Sequence, residues 1–275
     1  MPAPDPALPA APASEADLAL LTEAALGAGE IARRHFQRGA RAWDKGAGQG
    51  PVTEADLEVN DYLHGRLLGA RPAYGWLSEE SAPLDDSARL HAPSVFVIDP
   101  IDGTRAFIDG QKSFAHALAV VRDGSPVAAV VHLPLLNLTY RAIAGGGAWL
   151  NDRQVTASGR VDLAGARVLA ARAALEPRHW PGGVPRVSRH FRPSLAWRLA
   201  LIGEGAFDAM ITLRDTWDWD IAAAALIAAE AGAMVTDRHG QALRFNRKSA
   251  RNPGVLAASR PLHAGLLTAL GGPCP

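Results

Sequence analysis

The segment Asp99–Thr104, with the sequence Asp-Pro-Ile-Asp-Gly-Thr, constrains this chain more than any other stretch. It follows the apolar run Val95–Ile98, which predicts a buried strand. Pro100 lacks a backbone donor and prevents the strand from continuing regularly, and Gly103 allows a tight turn. Two carboxylates therefore arrive together at the carboxyl end of a strand, where open sheets commonly place ligands.

Thr104, at the end of this segment, is predicted to cap a short helix. The free N–H groups at a helix start suit an anion. Carboxylates beside such a helix start would repel a phosphate group unless a cation lay between them. The segment therefore predicts a divalent metal site for a phosphate ester.

Composition narrows the class of protein. The 275 residues are enough for one large domain or two packed halves, and the 48% hydrophobic and 20% charged fractions are typical of a soluble globular protein. The 28 basic and 28 acidic residues cancel, so no basic excess favours a nucleic acid or a membrane surface as partner. The single cysteine, Cys274, excludes an internal disulfide and a cysteine zinc cluster.

Residues 1–13 are rich in Ala and Pro and do not resemble a secretory signal, so a flexible tail is predicted. No apolar run is long enough to span a membrane. Together with the cysteine usage, these features favour a cytoplasmic protein.

Periodicity and turn residues predict alternating helices and strands. The predicted helices are Ser14 (as the N-cap) to about Gln37, one starting at Thr53, Ser194–Ile202, Asp220–Ala231 and Leu262–Leu270. The predicted strands are Trp76–Leu77, Val95–Ile98, Ala117–Arg122, Val127–Leu133, Leu138–Ala142, Met234–Thr236 and Val255–Ala258. This alternation, with hairpins between some of the strands, predicts a mixed α/β layered fold.

Four acidic segments could supply ligands: Asp56, Glu79-Glu80, Asp99 with Asp102, and Asp218 with Asp220. Three of them have a simpler explanation on their own: a capping box of Thr53 with Asp56, a solvated Glu79-Glu80 loop, and Asp220 as a helix N-cap. The Asp99–Thr104 segment is harder to explain in this way. Taken together, acids at strand ends and helix starts match the oxygen ligands of Mg²⁺, and paired ions would need a bridging carboxylate.

A basic group, Arg189, His190, Arg192 and Arg198, precedes the last acidic pair. Such a group is usually a solvated face, and contact with a substrate is the alternative.

Two segments resemble the signatures of the inositol monophosphatase superfamily of metal-dependent, lithium-sensitive phosphatases. They are Asp99–Thr104 and Trp219–Ala223, the second followed by Glu230-Ala231-Gly232. Pro51–Asp56 and Glu79–Ser81 resemble its two upstream motifs in the expected order. The resemblance covers roughly residues 45–258 and implies a layered αβαβα sandwich. An N-terminal half, 14–155, would carry most of the ligands, and a C-terminal half, 156–275, would pack with it as one unit.

The resemblance also implies roles for individual residues. Glu79, Asp99 and the Ile101 carbonyl would hold a first Mg²⁺, and Asp99, Asp102 and Asp220 a second. A weaker third ion would lie near Glu79. Asp56, Thr104 and Glu79 are the implied catalytic residues, the first two orienting the attacking water. The N–H groups of Gly103 and Thr104 would receive phosphate oxygens. Lys45 matches a lysine of a mobile loop at the metal site.

Some positions depart from the family pattern. Ser78 and Ala224 replace glycines, and Gly50 stands where many members have aspartate. None of these changes removes an implied ligand.

Two further departures bear on the substrate. Arg105-Ala106 replaces the Thr-Asn pair of inositol monophosphatases, and a basic residue there is more similar to the 3′(2′),5′-bisphosphate nucleotidase branch. Leu213 occupies the place of a sugar-binding glutamate, with Arg214 beside it. A cation at Arg214 would suit a doubly phosphorylated substrate.

The sequence therefore predicts a Mg²⁺-dependent phosphomonoesterase acting on a small phosphate ester. A bisphosphate nucleotide such as 3′-phosphoadenosine 5′-phosphate is favoured as substrate. Inositol 1-phosphate is the main alternative, followed by histidinol phosphate or a sugar phosphate. A non-catalytic regulator that binds metal and phosphate is a remote alternative, and a homodimer is left open.

Overall fold

A computed structural model of the protein describes residues 11–46, 50–81 and 87–271. Its helices are α1 Ala11–Arg38, α2 Glu54–Ala70, α3 Ser87–His91, α4 Thr104–Ile108, α5 Leu195–Gly203, α6 Asp218–Glu230 and α7 Arg260–Ala269. Two 3₁₀ helices cover Arg172–Leu175 and Pro177–His179. None of the helices in these residues is both long and apolar enough to cross a bilayer.

The strands are β1 Ala42–Asp44, β2 Pro51–Thr53, β3 Gly75–Ser78, β4 Val95–Asp102, β5 Ala115–Arg122, β6 Ser125–Leu133, β7 Leu138–Ile143, β8 Ala148–Leu150, β9 Arg153–Val155, β10 Arg167–Ala170, β11 Ser188–His190, β12 Ala209–Thr212, β13 Thr216–Trp217, β14 Met234–Thr236, β15 Arg251–Asn252 and β16 Val255–Ala258. Strands β3 to β9 form a seven-stranded sheet in chain order, in which only the β3–β4 pair is parallel. A five-stranded sheet has the order β11-β10-β12-β16-β14. β1 pairs with β2, and β13 pairs with β15.

The layers follow from which faces the helices bury. Helices α1 and α2 pack on one face of the seven-stranded sheet, and α5 and α6 pack on its other face. The same α5–α6 layer contacts the five-stranded sheet, whose far side is covered by α7 through Leu262, Leu266 and Leu267. The order of layers is therefore helix, sheet, helix, sheet, helix, and the predicted αβαβα sandwich is confirmed.

The start of helix α2, which carries Asp56, is specified by its local sequence. The Thr53 hydroxyl accepts hydrogen bonds from the backbone N–H groups of Ala55 and Asp56, and the Asp56 carboxylate accepts one from the N–H of Thr53. This is the predicted capping box, which satisfies N–H groups that have no partner within the helix. The box also buries Asp56 at the start of the helix.

Several predicted boundaries need correction. Helix α1 begins at Ala11 instead of being capped by Ser14, so the last three residues of the predicted tail are helical, and residues 1–10 lie outside the described residues. Thr104 is the first residue of α4 and not its cap, since Gly103 takes the N-cap position. Asp220 is likewise not a cap, because α6 starts at Asp218 after Trp217.

Candidate active site

The end of β4 is a bulge that presents two carboxylates. Asp99 pairs with Ala117 of β5 and Asp102 pairs with Ala115, so Pro100 and Ile101 together face a single residue of the partner strand. The chain leaves the bulge through Gly103 at a φ of 103°, a left-handed conformation that glycine adopts without strain. The bulge buries the carboxylates of Asp99 and Asp102 almost completely.

Three of the predicted ligands come together. Each of Glu79, Asp99 and Asp220 offers a carboxylate oxygen that lies within 4.8 Å of the other two. Glu79 follows β3 directly, and its backbone N–H donates to the carbonyl of Ile98 at 3.2 Å. The parallel pairing of β3 with β4 therefore brings Glu79 beside Asp99, while the first turn of α6 supplies Asp220.

This carboxylate triad fits a hard divalent cation. Oδ1 of Asp99 is buried and has no hydrogen-bond partner among the residues that the structure describes. Burial raises the pKa of Asp99 well above its usual value, and the negative charge of Glu79 raises it further. Burial, followed by the charges of Asp102 and Glu79, does the same to the pKa of Asp220. Mg²⁺ prefers oxygen ligands, and a bound cation would remove the mutual repulsion.

Asp102 lies at the edge of the triad and is held differently. Its Oδ2 accepts hydrogen bonds from the Ser194 hydroxyl and the backbone N–H of Ala196, each at 2.6 Å. These donors belong to the N-terminal end of α5, where a carboxylate is favoured. Burial nevertheless raises the pKa of Asp102, even though these hydrogen bonds oppose the shift. Asp102 thus fastens α5 to the bulge.

Asp56 and Thr104 form a hydrogen-bonded pair beside the bulge. Oδ1 of Asp56 lies 3.2 Å from the Thr104 hydroxyl, which is also 3.1 Å from the carbonyl oxygen of Ile101. Burial raises the pKa of Asp56 to about 6, although its hydrogen bonds from Thr53 lower it. The structure thus joins the capped start of α2 to the first residue of α4.

Lys45 supplies positive charge to the acidic cluster. Its Nζ lies 3.0 Å from Oε1 of Glu79 and 2.6 Å from Oε1 of Glu80. Burial lowers the pKa of Lys45, but the two carboxylates outweigh burial and hold it above its usual value. Burial raises the pKa of Glu80 to about 7. The solvated-loop interpretation of Glu79-Glu80 is wrong, since these side chains are only 23% and 6% exposed.

The solvated-face interpretation is wrong for Arg198. This residue is 8% exposed, and burial lowers its pKa to about 10 against the influence of Asp102. Its guanidinium lies 4.3 Å from the ring centroid of Phe191 and donates to the carbonyls of Arg192 and Pro193. The usable signal was its position as the one charged residue in the apolar helix α5.

Arg105 and Arg214, the two arginines predicted to contact the substrate, are both exposed. The positive charge of Arg214 lowers the pKa of Asp220, and it also lowers the pKa of Arg198. Arg105 lies on the short helix α4, and none of the side-chain contacts among the described residues joins it to the carboxylates.

The departures from the family pattern are accommodated locally. The hydroxyl of Ser78 donates to Oδ1 of Asn60 at 2.8 Å and accepts from the backbone N–H of Glu80 at 3.3 Å. It thereby ties the segment after β3 to α2. Gly50 has a φ of 92°, and Ala224 is fully buried in α6.

Comparisons with known proteins identify the family of this chain. The model of the inositol monophosphatase family matches residues 14–271. The 3′(2′),5′-bisphosphate nucleotidase CysQ of Aggregatibacter actinomycetemcomitans is 34% identical over 244 residues, which cover 85% of this chain and 89% of that protein. The inositol-1-monophosphatase of Rhizobium meliloti is 35% identical over 199 residues, covering 69% and 73%.

Among solved structures, the extragenic suppressor protein SuhB from Bartonella henselae superposes with a TM-score of 0.79 at 26% identity. The match covers 93% of this chain and 98% of that one. The nucleotidase and the inositol-1-monophosphatase are both phosphatases of small esters. The chain belongs to the inositol monophosphatase family and is a phosphoric monoester hydrolase.

Proposed function

We propose that the protein is a Mg²⁺-dependent phosphomonoesterase that removes the 3′-phosphate of a 3′(2′),5′-bisphosphate nucleotide such as 3′-phosphoadenosine 5′-phosphate. The observation that carries this choice is the arginine pair Arg198 and Arg214, whose charges act on Asp220 at the edge of the triad. A substrate with two phosphate groups needs a second cationic site outside the metal centre, and guanidinium groups suit phosphate.

The metal ligands would be Glu79, Asp99, Asp102, Asp220 and the Ile101 carbonyl, holding two to three Mg²⁺ ions. When bound, these ions would polarise the ester and lower the pKa of the attacking water. The protein's own part is to assemble the oxygens before the ion arrives, which the β3–β4 pairing and the first turn of α6 accomplish.

Asp56 and Thr104 would orient the attacking water. When the Thr104 hydroxyl donates its hydrogen bond to Oδ1 of Asp56, its lone pairs are left to accept a hydrogen bond from the water. With a pKa of about 6, Asp56 is an effective proton acceptor at neutral pH. The backbone N–H groups of Gly103 and Thr104, at the exit of the bulge, would receive phosphate oxygens.

An exposed aromatic side chain near the arginine pair supports a nucleotide over an inositol ring. Phe191 is 47% exposed and carries the Arg198 guanidinium over one face. An exposed aromatic ring offers stacking to a nucleobase, whereas inositol presents only hydroxyl groups.

Phosphate release from a substrate panel with Mg²⁺ tests the proposal. We expect kcat/KM for 3′-phosphoadenosine 5′-phosphate to exceed that for inositol 1-phosphate. Arg214→Met should lower the ratio of the two values by about 10–100-fold, the effect of losing one charged hydrogen bond. Arg105→Met is the companion variant at the second exposed arginine, and a smaller change in the ratio would favour Arg214 as the residue that binds the second phosphate. Faster turnover of inositol 1-phosphate by the wild-type protein would refute the substrate assignment.

Inositol-1-monophosphatase activity is the second candidate, favoured by the 35% identity to the Rhizobium meliloti enzyme. A wild-type protein that binds metal but is inactive on every ester of the panel would favour a non-catalytic regulator. Lithium sensitivity, a cytoplasmic location, a homodimer and the division into two halves stay predictions.

A further inference from the structure

His116 lies opposite the bulge that carries the metal ligands. In the β4–β5 ladder, Asp99 pairs with Ala117 and Asp102 with Ala115, which leaves His116 facing both bulged residues. Its Nδ1 contacts the carbonyl oxygen of Pro100. Because a carbonyl only accepts hydrogen bonds, the proton of this contact belongs to Nδ1.

The contact gives the Pro100 carbonyl a hydrogen-bond partner inside the bulge. A bulge takes its extra residue out of the regular backbone pairing, and Pro100 has no N–H of its own to compensate. Pro100 is buried, and without His116 its carbonyl would lose this partner, which a buried polar group requires. This carbonyl belongs to the peptide group that joins Pro100 to Ile101, so fixing its plane restricts the backbone on both sides, towards Asp99 and towards the Ile101 carbonyl.

The imidazole of His116 is itself held in place. It is fully buried between Phe114, at 6.2 Å edge-on, and His132, at 6.1 Å and nearly parallel. Nδ1 of His132 lies 2.9 Å from the Thr139 hydroxyl, which fixes the neighbouring ring in turn. Burial lowers the pKa of His116 to about 3, so the ring is neutral, and its Nε2 has no partner among the described residues. Nδ1 of His116 is therefore available to donate its hydrogen bond to the Pro100 carbonyl.

We propose that His116 is a positioning residue of the metal centre. Through the Pro100 carbonyl it holds the bulged turn in the conformation that directs Asp99 and Ile101 towards the ion. The proposal rests on the metal dependence proposed above and assigns His116 no contact with metal or substrate.

A pair of substitutions separates the hydrogen bond from the bulk of the ring. His116→Asn places an amide donor where Nδ1 stands, whereas His116→Leu fills the space without a donor. Binding of Mn²⁺ to the EDTA-treated protein, measured by titration calorimetry, should weaken by about tenfold in His116→Leu, or about 1.4 kcal/mol. His116→Asn should recover most of the affinity.

His132→Leu is the matched control. It removes a second buried histidine from the adjacent strand, one that packs against the His116 ring and contacts Thr139 but makes no hydrogen bond to the metal loop. It should lower the melting temperature and weaken Mn²⁺ binding clearly less than His116→Leu does. The proposal fails if His116→Leu binds Mn²⁺ like the wild type, if His116→Asn binds as weakly as His116→Leu, or if His132→Leu weakens binding equally.

Imidazole NMR of the wild-type protein tests the same idea without mutation, in case the leucine variant does not fold. His116 should be the Nδ1–H tautomer, and adding Mg²⁺ should shift its Nδ1 resonance more than that of His132. An Nε2–H tautomer would overturn the proposal. A wild type that hydrolyses no ester, yet shows the His116 dependence of metal binding, would refute the proposed function and leave this inference standing.

Discussion

The substitution Asp99→Asn should stabilise the metal-free protein and abolish the stabilisation that Mg²⁺ gives to the wild type. Asp99 offers an oxygen within 4.8 Å of both Glu79 and Asp220. At an effective dielectric constant of about 20, two charges at that distance repel by about 3.5 kcal/mol. The wild-type protein relieves part of this repulsion by taking up protons, as the raised pKa values of Asp99 and Asp220 indicate.

The expected gain in stability corresponds to the part of the repulsion that proton uptake does not remove. An amide of the same shape removes the repulsion, so the metal-free variant should gain about 1–3 kcal/mol over the wild type near pH 8. Saturating Mg²⁺, at about 100 times its dissociation constant, would stabilise the wild type by about 2.7 kcal/mol. For a protein of this size, that is a rise in Tm of about 5–10 °C, which the variant should lose together with its turnover.

The assay is a thermal melt in EDTA and in Mg²⁺, combined with phosphate release. Asp218→Asn is the matched control. Asp218 is a buried acid in the same helical turn as Asp220, but it accepts hydrogen bonds from Asn246 and Asn252. The control should keep its Mg²⁺-induced rise in Tm. An Asp99→Asn protein that is less stable than the wild type in EDTA, or that keeps the full Mg²⁺ response, would refute the reasoning.

Three further substitutions test the surrounding structure. Thr53→Ala removes the α2 cap and should cost about 1 kcal/mol of unfolding free energy in a urea titration, and an unchanged midpoint would contradict the capping box. Burial lowers the pKa of His132 to about 4, so the unfolded chain binds the extra proton and stability is lost as pH falls from about 6.5. His132→Gln should therefore show a shallower fall in Tm between about pH 6.5 and 4 than the wild type, and an equal fall would contradict the assignment. Gly254→Ala should destabilise the fold by about 2–4 kcal/mol, because φ is 71° and the new Cβ would lie 2.4 Å from the Thr212 carbonyl oxygen. A thermal melt like that of the wild type would show that this backbone relaxes.

The seven-stranded sheet was largely predictable because its signals are local. The Asp123-Gly124 turn joins β5 and β6 with φ values of 50° and 76°, the left-handed geometry that tight hairpins require. The apolar run before Asp99 did become a central strand, and the capping box at Thr53 did begin a helix. Each of these elements is specified by residues that lie within a few positions of one another.

The five-stranded sheet was harder to predict because its signals are not local. Strands β10, β11 and β12 contain only three or four residues each, and they pair in parallel across long connections. Short buried strands show no alternation of polar and apolar residues. The same limit applies to the electrostatic environment of Arg198, because Asp102 and Asp220, whose negative charges act on it, are not near it in sequence.

The site assembles acids that no single element could hold together. Asp56 stands at the start of α2, Glu79 after β3, Asp99 at the bulge of β4 and Asp220 in the first turn of α6. Each position is favourable locally, since helix starts attract carboxylates and strand ends leave room for them. Their combination is not, because burial and mutual repulsion raise the pKa values of Asp56, Asp99 and Asp220.

The fold compensates for this repulsion only at the edges of the site. Lys45 pairs with Glu79 and Glu80, and Arg214 acts on Asp220, while Oδ1 of Asp99 at the centre has no partner among the described residues. The central position is therefore where a cation gains most, because it removes repulsion between carboxylates already held in place by sheet pairing and a helix turn. Metal binding to such a site also releases the protons that the metal-free carboxylates retain, which couples metal affinity to pH.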